Sequence, residues 1–381
     1  MIRYFNPGHE AAVWSDSPYY QPPASVLKMQ EDLAFLPFWY ADPGDFICVP
    51  ELLPVLYTQL EDRRNVYSLA YSNVNDEIEL LKDQKIDFWG LSRQGLHFFE
   101  NFSKKYNLAL RLPEWEPEYR NLSSRELAAE CLSAMAEKIP EIPAEIIPSF
   151  FSNLPDIEQF NRLSPDKLLA KSPYSSSGRG LLWLEQPDLS RSSRQIIQGV
   201  LNRQKTISLE KALEKFLDFS MHFSSDGFLG FSIFYTNAKG AYEKTWLASQ
   251  EKIKSKLTEH INPDLLEEVK EFLSEFIQEK IRPYYKGNVG IDMMIYRSRR
   301  DFYFHPCVEI NLRKSMGYLS LRLHQNFLHQ DSEAYFSVAY NSDAKAIPPV
   351  FLDNGKLKQG IFDLCPVDTA TKYRAILNVK M

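Results

Sequence analysis

The stretch GIDMMIYRSRRDFYFHPCVEINLR, residues 290–313, holds two apolar runs joined by a charged turn, with polar residues set inside the runs. Asp292 lies in the first run; Glu309 and Asn311 lie two apart in the second. Alternate residues of a strand share a face, so Glu309 and Asn311 point the same way. If the runs pair antiparallel, Asp292 joins them. Two carboxylates and an amide oxygen, with no cysteine or histidine in the set, suit a hard cation such as Mg2+ that also holds phosphates. The plainer alternative is a solvated sheet face. The apolar setting of CVEINL argues for the site, because polar groups in a buried strand need partners.

A second signal lies upstream in LLAKSPYSSSGRGLLWLE, residues 168–185. Lys171 ends an apolar run, Ser175, Ser176, Ser177, Gly178, Arg179 and Gly180 follow, and a second apolar run begins. A Ser/Gly-rich turn between strands can fold over a polyphosphate, since glycine lets backbone N–H groups point at phosphate oxygens and serine adds donors. Lys171 would add a point charge. The alternative is a solvated hairpin, and the pattern is neither GxxxxGK[ST] nor GxGxxG.

The chain has 381 residues, which predicts two or three domains or lobes, and its 44% hydrophobic content is ordinary for a soluble globular protein. Its 44 basic and 50 acidic side chains leave a formal charge of -6, with no long Lys/Arg cluster, which argues against nucleic acid or anionic lipid as a partner. Cys48, Cys131, Cys307 and Cys365 are far apart and form no CxxC pair, so reduced thiols in a cytoplasmic protein are expected. The opening MIRYFNPGHEAAV lacks the pattern of a secretory signal, and no run approaches the ~18 apolar residues of a membrane span.

Along the chain, IRYF reads as a strand broken by NPGHE, where Pro7 and Gly8 force a turn. Strand-like FICVP, NVYSLAY and KIDFWGL then alternate with helical SVLKMQEDLAFL and VNDEIELLKD, the rhythm of a small parallel α/β domain over residues 1–120. A capped helix begins at SSRELAAECLSAMAEKI, opening a first lobe over 121–206 that carries the serine loop. The second lobe, 207–381, shows strand-like GFLGFSIFYTN, a charged helix in PDLLEEVKEFLSEFIQEKI, the two strands of the opening stretch, and VDTATKYRAILNVK as an expected edge strand.

The order of Lys171, SSSGRG, Glu210 in ISLEKAL, Asp292, Glu309 and Asn311 resembles the ATP-grasp superfamily, which includes D-alanine:D-alanine ligase and biotin carboxylase. The resemblance spans roughly residues 121–345. FNPGHE and FWGLSRQ are similar to an uncharacterised bacterial branch. It implies an α/β (α+β) fold, a small parallel pre-ATP-grasp domain followed by a two-lobed ATP-grasp domain, with ATP and Mg2+ as cofactors. Glu210 would reach the adenine amino group at a hinge, with Lys211 to Leu213 offering backbone contacts; the alternative is that SLEKALEKF is an amphipathic helix. Two departures stand out. Arg125 replaces the usual second nucleotide lysine, either meeting a phosphate bidentately or standing solvated at the helix start. Gly290 stands where family members often carry an arginine two residues ahead of the first metal aspartate, so Arg313 becomes the candidate for the transferred phosphate or the intermediate.

The activity implied is ATP-dependent ligation of a small carboxylate to an amine through an acylphosphate. A small-molecule kinase on the same fold and a non-catalytic nucleotide-binding protein are the alternatives. The partners are small-molecule substrates, without nucleic acid or membrane, and the resemblance leaves room for a homodimer. His222 and His305 are expected to be hydrogen-bonded structural histidines. Asn6, His9 and Glu10 on the turn after the first strand, with Trp89, Ser92 and Arg93 of FWGLSR, form a candidate acceptor site. The turn at Pro7 and Gly8 predicts a displayed His9 and Glu10 that hold and deprotonate the amine; the alternative is a tight turn with local side-chain bonds.

Overall fold

The computed structural model describes residues 1–381 except 52, 55–56, 58–59, 62–63, 72–77, 176–177, 179, 186, 341–344 and 381. In chain order the strands are β1 (Ile2–Tyr4), β2 (Phe46–Val49), β3 (Tyr67–Ala70), β4 (Ile86–Phe88), β5 (Ser149–Phe151), β6 (Leu168–Lys171), β7 (Leu181–Leu184), β8 (Ile207–Lys211), β9 (Glu214–Ser224), β10 (Gly227–Thr236), β11 (Tyr242–Leu247), β12 (Val289–Ser298), β13 (Asp301–Asn311), β14 (Glu333–Tyr340), β15 (Gly360–Asp363) and β16 (Tyr373–Lys380). The chain folds into two compact units. The first takes Met1–Trp115, Glu243–Ile253 and Arg313–Met381; the second takes Glu116–Tyr242 and Lys254–Leu312. Among the described residues no helix is long and apolar enough to cross a membrane.

The first unit holds the expected parallel sheet, ordered β3–β2–β1–β4. Every residue of Phe46–Val49 is buried, as a strand covered on both faces requires. Helix Arg93–Tyr106 starts where the Ser92 Oγ accepts from Gly95 N (3.1 Å) and stops at Asn107, which takes a left-handed φ of 51°. Because β2 and β3 lie on one side of β1 and β4 on the other, the strand order reverses at the β1/β4 pair. In open parallel sheets the carboxyl ends at such a point form a crevice. A charged network runs through these strands: Arg3 opposes Asp87 in register and bonds Asp45 and Asp87, while Lys314 Nζ reaches Asp87 Oδ1 at 2.5 Å.

Two expectations for this unit are corrected. Within VNDEIELLKD, residues 74–77 lie outside the described residues, and Ile78–Leu81 is one turn of 3-10 helix rather than a longer helix. The closing strand is not at an edge: β16 lies between β14 and β15 in the order β11–β14–β16–β15. Its alternation buries Ala375, Leu377 and Val379, and the short β15 takes the edge instead, a common way to limit exposed backbone.

In the second unit a four-stranded antiparallel sheet, β5–β8–β6–β7, shares one apolar core with Ile157 of helix Leu154–Leu163 and with Ile197, Val200 and Leu201 of helix Arg191–Gln204. The longer strands β13–β12–β9–β10 form antiparallel pairs. On β9, Phe219, Met221 and Phe223 are buried on one face while Asp218, Ser220 and His222 take the other. We expect Phe219→Ala, at a fully buried position, to lower unfolding free energy by about 3 to 5 kcal/mol in urea titration. A loss under about 1 kcal/mol would mean the apolar face is not packed as described.

Candidate active site

Strands β12 and β13 pair antiparallel with Asp292 directly opposite Glu309 and Gly290 opposite Asn311. On the other side of β12, Ser220 opposes Asp292 and His222 opposes Gly290. The polar residues of the opening stretch therefore do share one face with each other. Ser220 Oγ donates to Asp292 Oδ1 at 2.6 Å, and Asn311 Nδ2 donates to Asp292 Oδ2 at 3.0 Å. Arg125, the first residue of helix Arg125–Lys138, bonds Glu309 Oε2 at 3.1 Å. Register slips between Asp292 and Met294, where β13 carries Pro306, Cys307 and Val308 without one-to-one partners. Pro306 has no N–H for a ladder and β13 is the outer strand, so the irregularity falls where a sheet tolerates it.

This donor set fits a hard divalent cation in kind: two carboxylates and an amide on one face. Among the described residues no group of three or more His, Cys, Asp and Glu could hold a metal. Arg125 Nε is buried with no hydrogen-bond partner among the described residues.

Lys171, at the end of β6, is buried and its Nζ lies 2.5 Å from Glu210 Oε1. Glu210 belongs to β8, not to a helix; β8 ends at Lys211 and β9 begins at Glu214 in the other sheet. Ala212 and Leu213 thus form the link between two sheets, with Ala212 N donating to Lys167 O at 2.8 Å. Burial pushes the Asp218 carboxyl up against the opposing pull of Lys215 and Lys171. Burial, helped by Lys171, holds the His305 imidazole down at about 3.

The serine loop closes the β6–β7 hairpin, with Lys171 opposite Leu181. Ser175 Oγ donates to Ser172 O at 3.2 Å. Gly178 takes a φ of 73°, and a Cβ there would lie 2.6 Å from the backbone of Gly240, so only glycine fits this approach. Gly180 also has positive φ, 75°. Ser176, Ser177 and Arg179 lie outside the described residues.

In the first unit, Asn6, His9, Trp89, Ser92 and Arg93 all follow the carboxyl ends of β1 and β4. They are brought together there, but through contacts with the chain itself. Asn6 Nδ2 donates to Gly90 O (2.6 Å) while its Oδ1 accepts from Gly90 N (3.1 Å). Ser92 is the helix cap, Trp89 packs edge-on to Phe5, and Arg93 pairs with Asp16 at 2.9 Å. His9 is not displayed: it is 3% exposed, as the first residue of helix His9–Ser15, and a Cβ at Gly90 would lie 2.6 Å from its ring. Glu10 is also packed, with Arg313 Nε donating to its Oε1 at 2.6 Å. The turn is sharp as expected, Gly8 having φ 78°, but a helix follows it at once and folds both side chains inward.

Burial holds the His9 imidazole down at about 4, so it is neutral near pH 7. Burial would raise the Glu10 carboxyl, but Arg313 and His9 outweigh it and hold it at about 2. Burial likewise acts to raise Asp87, yet Lys314 and Arg3 keep it below the usual carboxylate range.

Several polar residues of these faces escaped the sequence reading. Asp218 and Ser220 share a face with His222, which was expected only as a structural histidine, and the three alternate with buried apolar residues in LDFSMHFS, a period-2 pattern that could have marked one polar strand face. Arg3 in IRYF and Asp87 in KIDF are charges inside short apolar runs, and each is the other's partner.

No protein-family model matches the chain, and no curated protein matches its sequence. Among solved structures, it is similar to the biotin carboxylase of Campylobacter jejuni in a β-γ-ATP complex, at 11% identity and TM-score 0.50, over 100% of this chain and 87% of that one. It is also similar to the biotin carboxylase domain of Hydrogenobacter thermophilus 2-oxoglutarate carboxylase, solved with MgADP, ADP and bicarbonate: 8% identity, TM-score 0.52, 99% of this chain and 85% of that one. With Rhizobium etli pyruvate carboxylase the TM-score is 0.55 at 9% identity, over 99% of this chain and 35% of the longer partner. At such identities the likeness shows the fold alone: this chain has the fold seen in those biotin carboxylase structures.

The Glu10–Arg313 pair carries a pH signature. A carboxyl held at about 2 when folded, against 4.5 ordinarily, stabilises the fold fully above about 4.5 and loses that contribution as pH falls toward 2. We expect Glu10→Gln to lower unfolding free energy by about 2 kcal/mol at pH 7, the difference from wild type narrowing below pH ~4.5. A difference independent of pH across this range would contradict the ion pair.

Proposed function

We propose that this chain is an ATP- and Mg2+-dependent ligase that joins a small carboxylate to an amine. The observation that carries the reading is the in-register pair Asp292 and Glu309, sharing a face with Asn311 and Ser220. The neighbours solved with adenine nucleotides support it at the level of fold.

In this proposal Asp292, Glu309 and Asn311 hold the Mg2+, which when bound supplies positive charge to phosphate oxygens. Lys171 and the backbone N–H groups of the serine loop bind the phosphates. Glu210, with the backbone at Ala212 and Leu213, binds the adenine. Lys171 exchanges its Glu210 partner for a phosphate oxygen, and Arg125 exchanges Glu309, each swapping one anion for another, so no buried cation is left unpaired. A substrate carboxylate oxygen attacks the γ-phosphorus of ATP and ADP leaves; the amine then displaces inorganic phosphate from the acylphosphate. The chain contributes position and charge rather than a nucleophile.

Acceptor handling is assigned to Asn6, Trp89, Ser92 and Arg93 with His9, Glu10 and Arg313. What supports this is their place after the carboxyl ends of β1 and β4, where the strand order reverses.

Two variants test the reading. Calorimetry with a non-hydrolysable ATP analogue and Mg2+ should show binding that Lys171→Ala weakens by about 1.5 to 3 kcal/mol. Glu309→Gln should keep the fold yet lower ADP release, driven by amine and carboxylate mixtures, by about a hundredfold or more. Wild-type affinity in the first and wild-type turnover in the second would sink the assignment; a phosphoester product in place of an amide would make the protein a kinase.

A further inference from the structure

Two rows of cross-strand neighbours run side by side on the polar face of β10, β9, β12 and β13. The first, Ser232–Ser220–Asp292–Glu309, has a side chain at every place. The second, Gly230–His222–Gly290–Asn311, has glycine on both sides of a histidine. His222 is 3% exposed, and its ring makes one side-chain hydrogen bond among the described residues, between Nε2 and Ser232 Oγ at 2.8 Å. The other ring nitrogen faces Gly290. A Cβ built on Gly290 would have His222 Nδ1 as its nearest neighbour at 3.4 Å, then His222 Cε1 at 3.6 Å and Asn311 Cβ at 3.8 Å.

Those distances matter because they are ordinary van der Waals contacts. The backbone of Gly290 is not left-handed and no main chain crowds it, so the fold itself would accept alanine. A glycine inside a strand weakens it, and often marks a place where another group approaches closely. Here the missing side chain leaves a notch floored by Gly290, walled by His222 and Asn311, and one residue pair away from Asp292. Burial keeps the imidazole neutral at pH 7. When the Ser232 hydroxyl donates to Nε2, the neutral ring carries its proton on Nδ1 and presents it to the notch.

We propose that the notch over Gly290 binds an anionic oxygen of a carboxylate or phosphoryl group, which accepts a hydrogen bond from His222 Nδ1–H. His222 is then a substrate-contacting residue. The identification of that oxygen with the ligase's carboxylate substrate rests on the proposed function; the notch itself does not.

The test therefore omits nucleotide. Acetate and inorganic phosphate are titrated separately into the full chain while the ring nitrogens of His222 are followed by two-bond 1H–15N correlation, with His222→Gln identifying the resonance. The expected result is a saturable Nδ1 shift with acetate. Gly290→Ala, which the surroundings accommodate, should weaken it at least about tenfold by filling the notch, the scale of one hydrogen bond to a charged group. A stronger response to phosphate than to acetate keeps the site and assigns it to the phosphoryl group. No shift with either probe, or equal binding by a folded Gly290→Ala, overturns the proposal. Absence of nucleotide binding would count against the ligase alone.

Discussion

Asp292 and Glu309 stand directly opposite each other on neighbouring strands, and like charges in that position destabilise a sheet unless donors or cations lie over them. Much of the second unit's polar face answers that requirement. Ser220 and Asn311 each give a hydrogen bond to Asp292, and Arg125 gives its guanidinium to Glu309. A divalent cation would meet the same requirement with more charge, which is why the arrangement suits one. Arg125 also brings the start of helix Arg125–Lys138 to the end of β13, and Arg125 N donates to Pro173 O in the serine loop at 3.1 Å. The acidic pair and the loop are thereby tied to one helix end.

The first unit solves a different problem. Its parallel sheet carries Arg3 and Asp87 on adjacent strands, and burying them requires the further partners Asp45 and Lys314. Lys314 also donates through its ζ-amine to Phe88 O at 2.8 Å, and its backbone N to Trp89 O at 2.8 Å. This anchors the chain immediately after Arg313, whose guanidinium meets Glu10. The position of Arg313 is thus set by two part-buried ion pairs from consecutive residues.

What the sequence disclosed was mostly local. The period-2 spacing of Glu309 and Asn311, the apolar runs around the serine loop and the alternation of strand and helix before residue 120 were all legible, since each rests on neighbours in the chain. What it hid was set by distant partners. His9 is packed because Gly90 lacks a side chain, and β16 is internal because β15 returns to cover it. In ISLEKALEKF the helical spacing of Leu209, Leu213 and Phe216 competes with two strands that separate sheets have claimed. Ser220 went unnoticed, and His222 reads only as a structural histidine, because single polar residues in an apolar run acquire meaning only once the register with Asp292 and Gly290 is known.

Mn2+ offers the most direct measurement of the central claim, that the opposed carboxylates form a cation site serving a nucleotide. Electron paramagnetic resonance of Mn2+ added with a non-hydrolysable ATP analogue should show a bound signal that requires both nucleotide and protein. Asp292→Asn, folded as judged by its melting curve, should abolish that signal. A bound Mn2+ signal unchanged in Asp292→Asn would contradict the account, because the cation would then sit elsewhere.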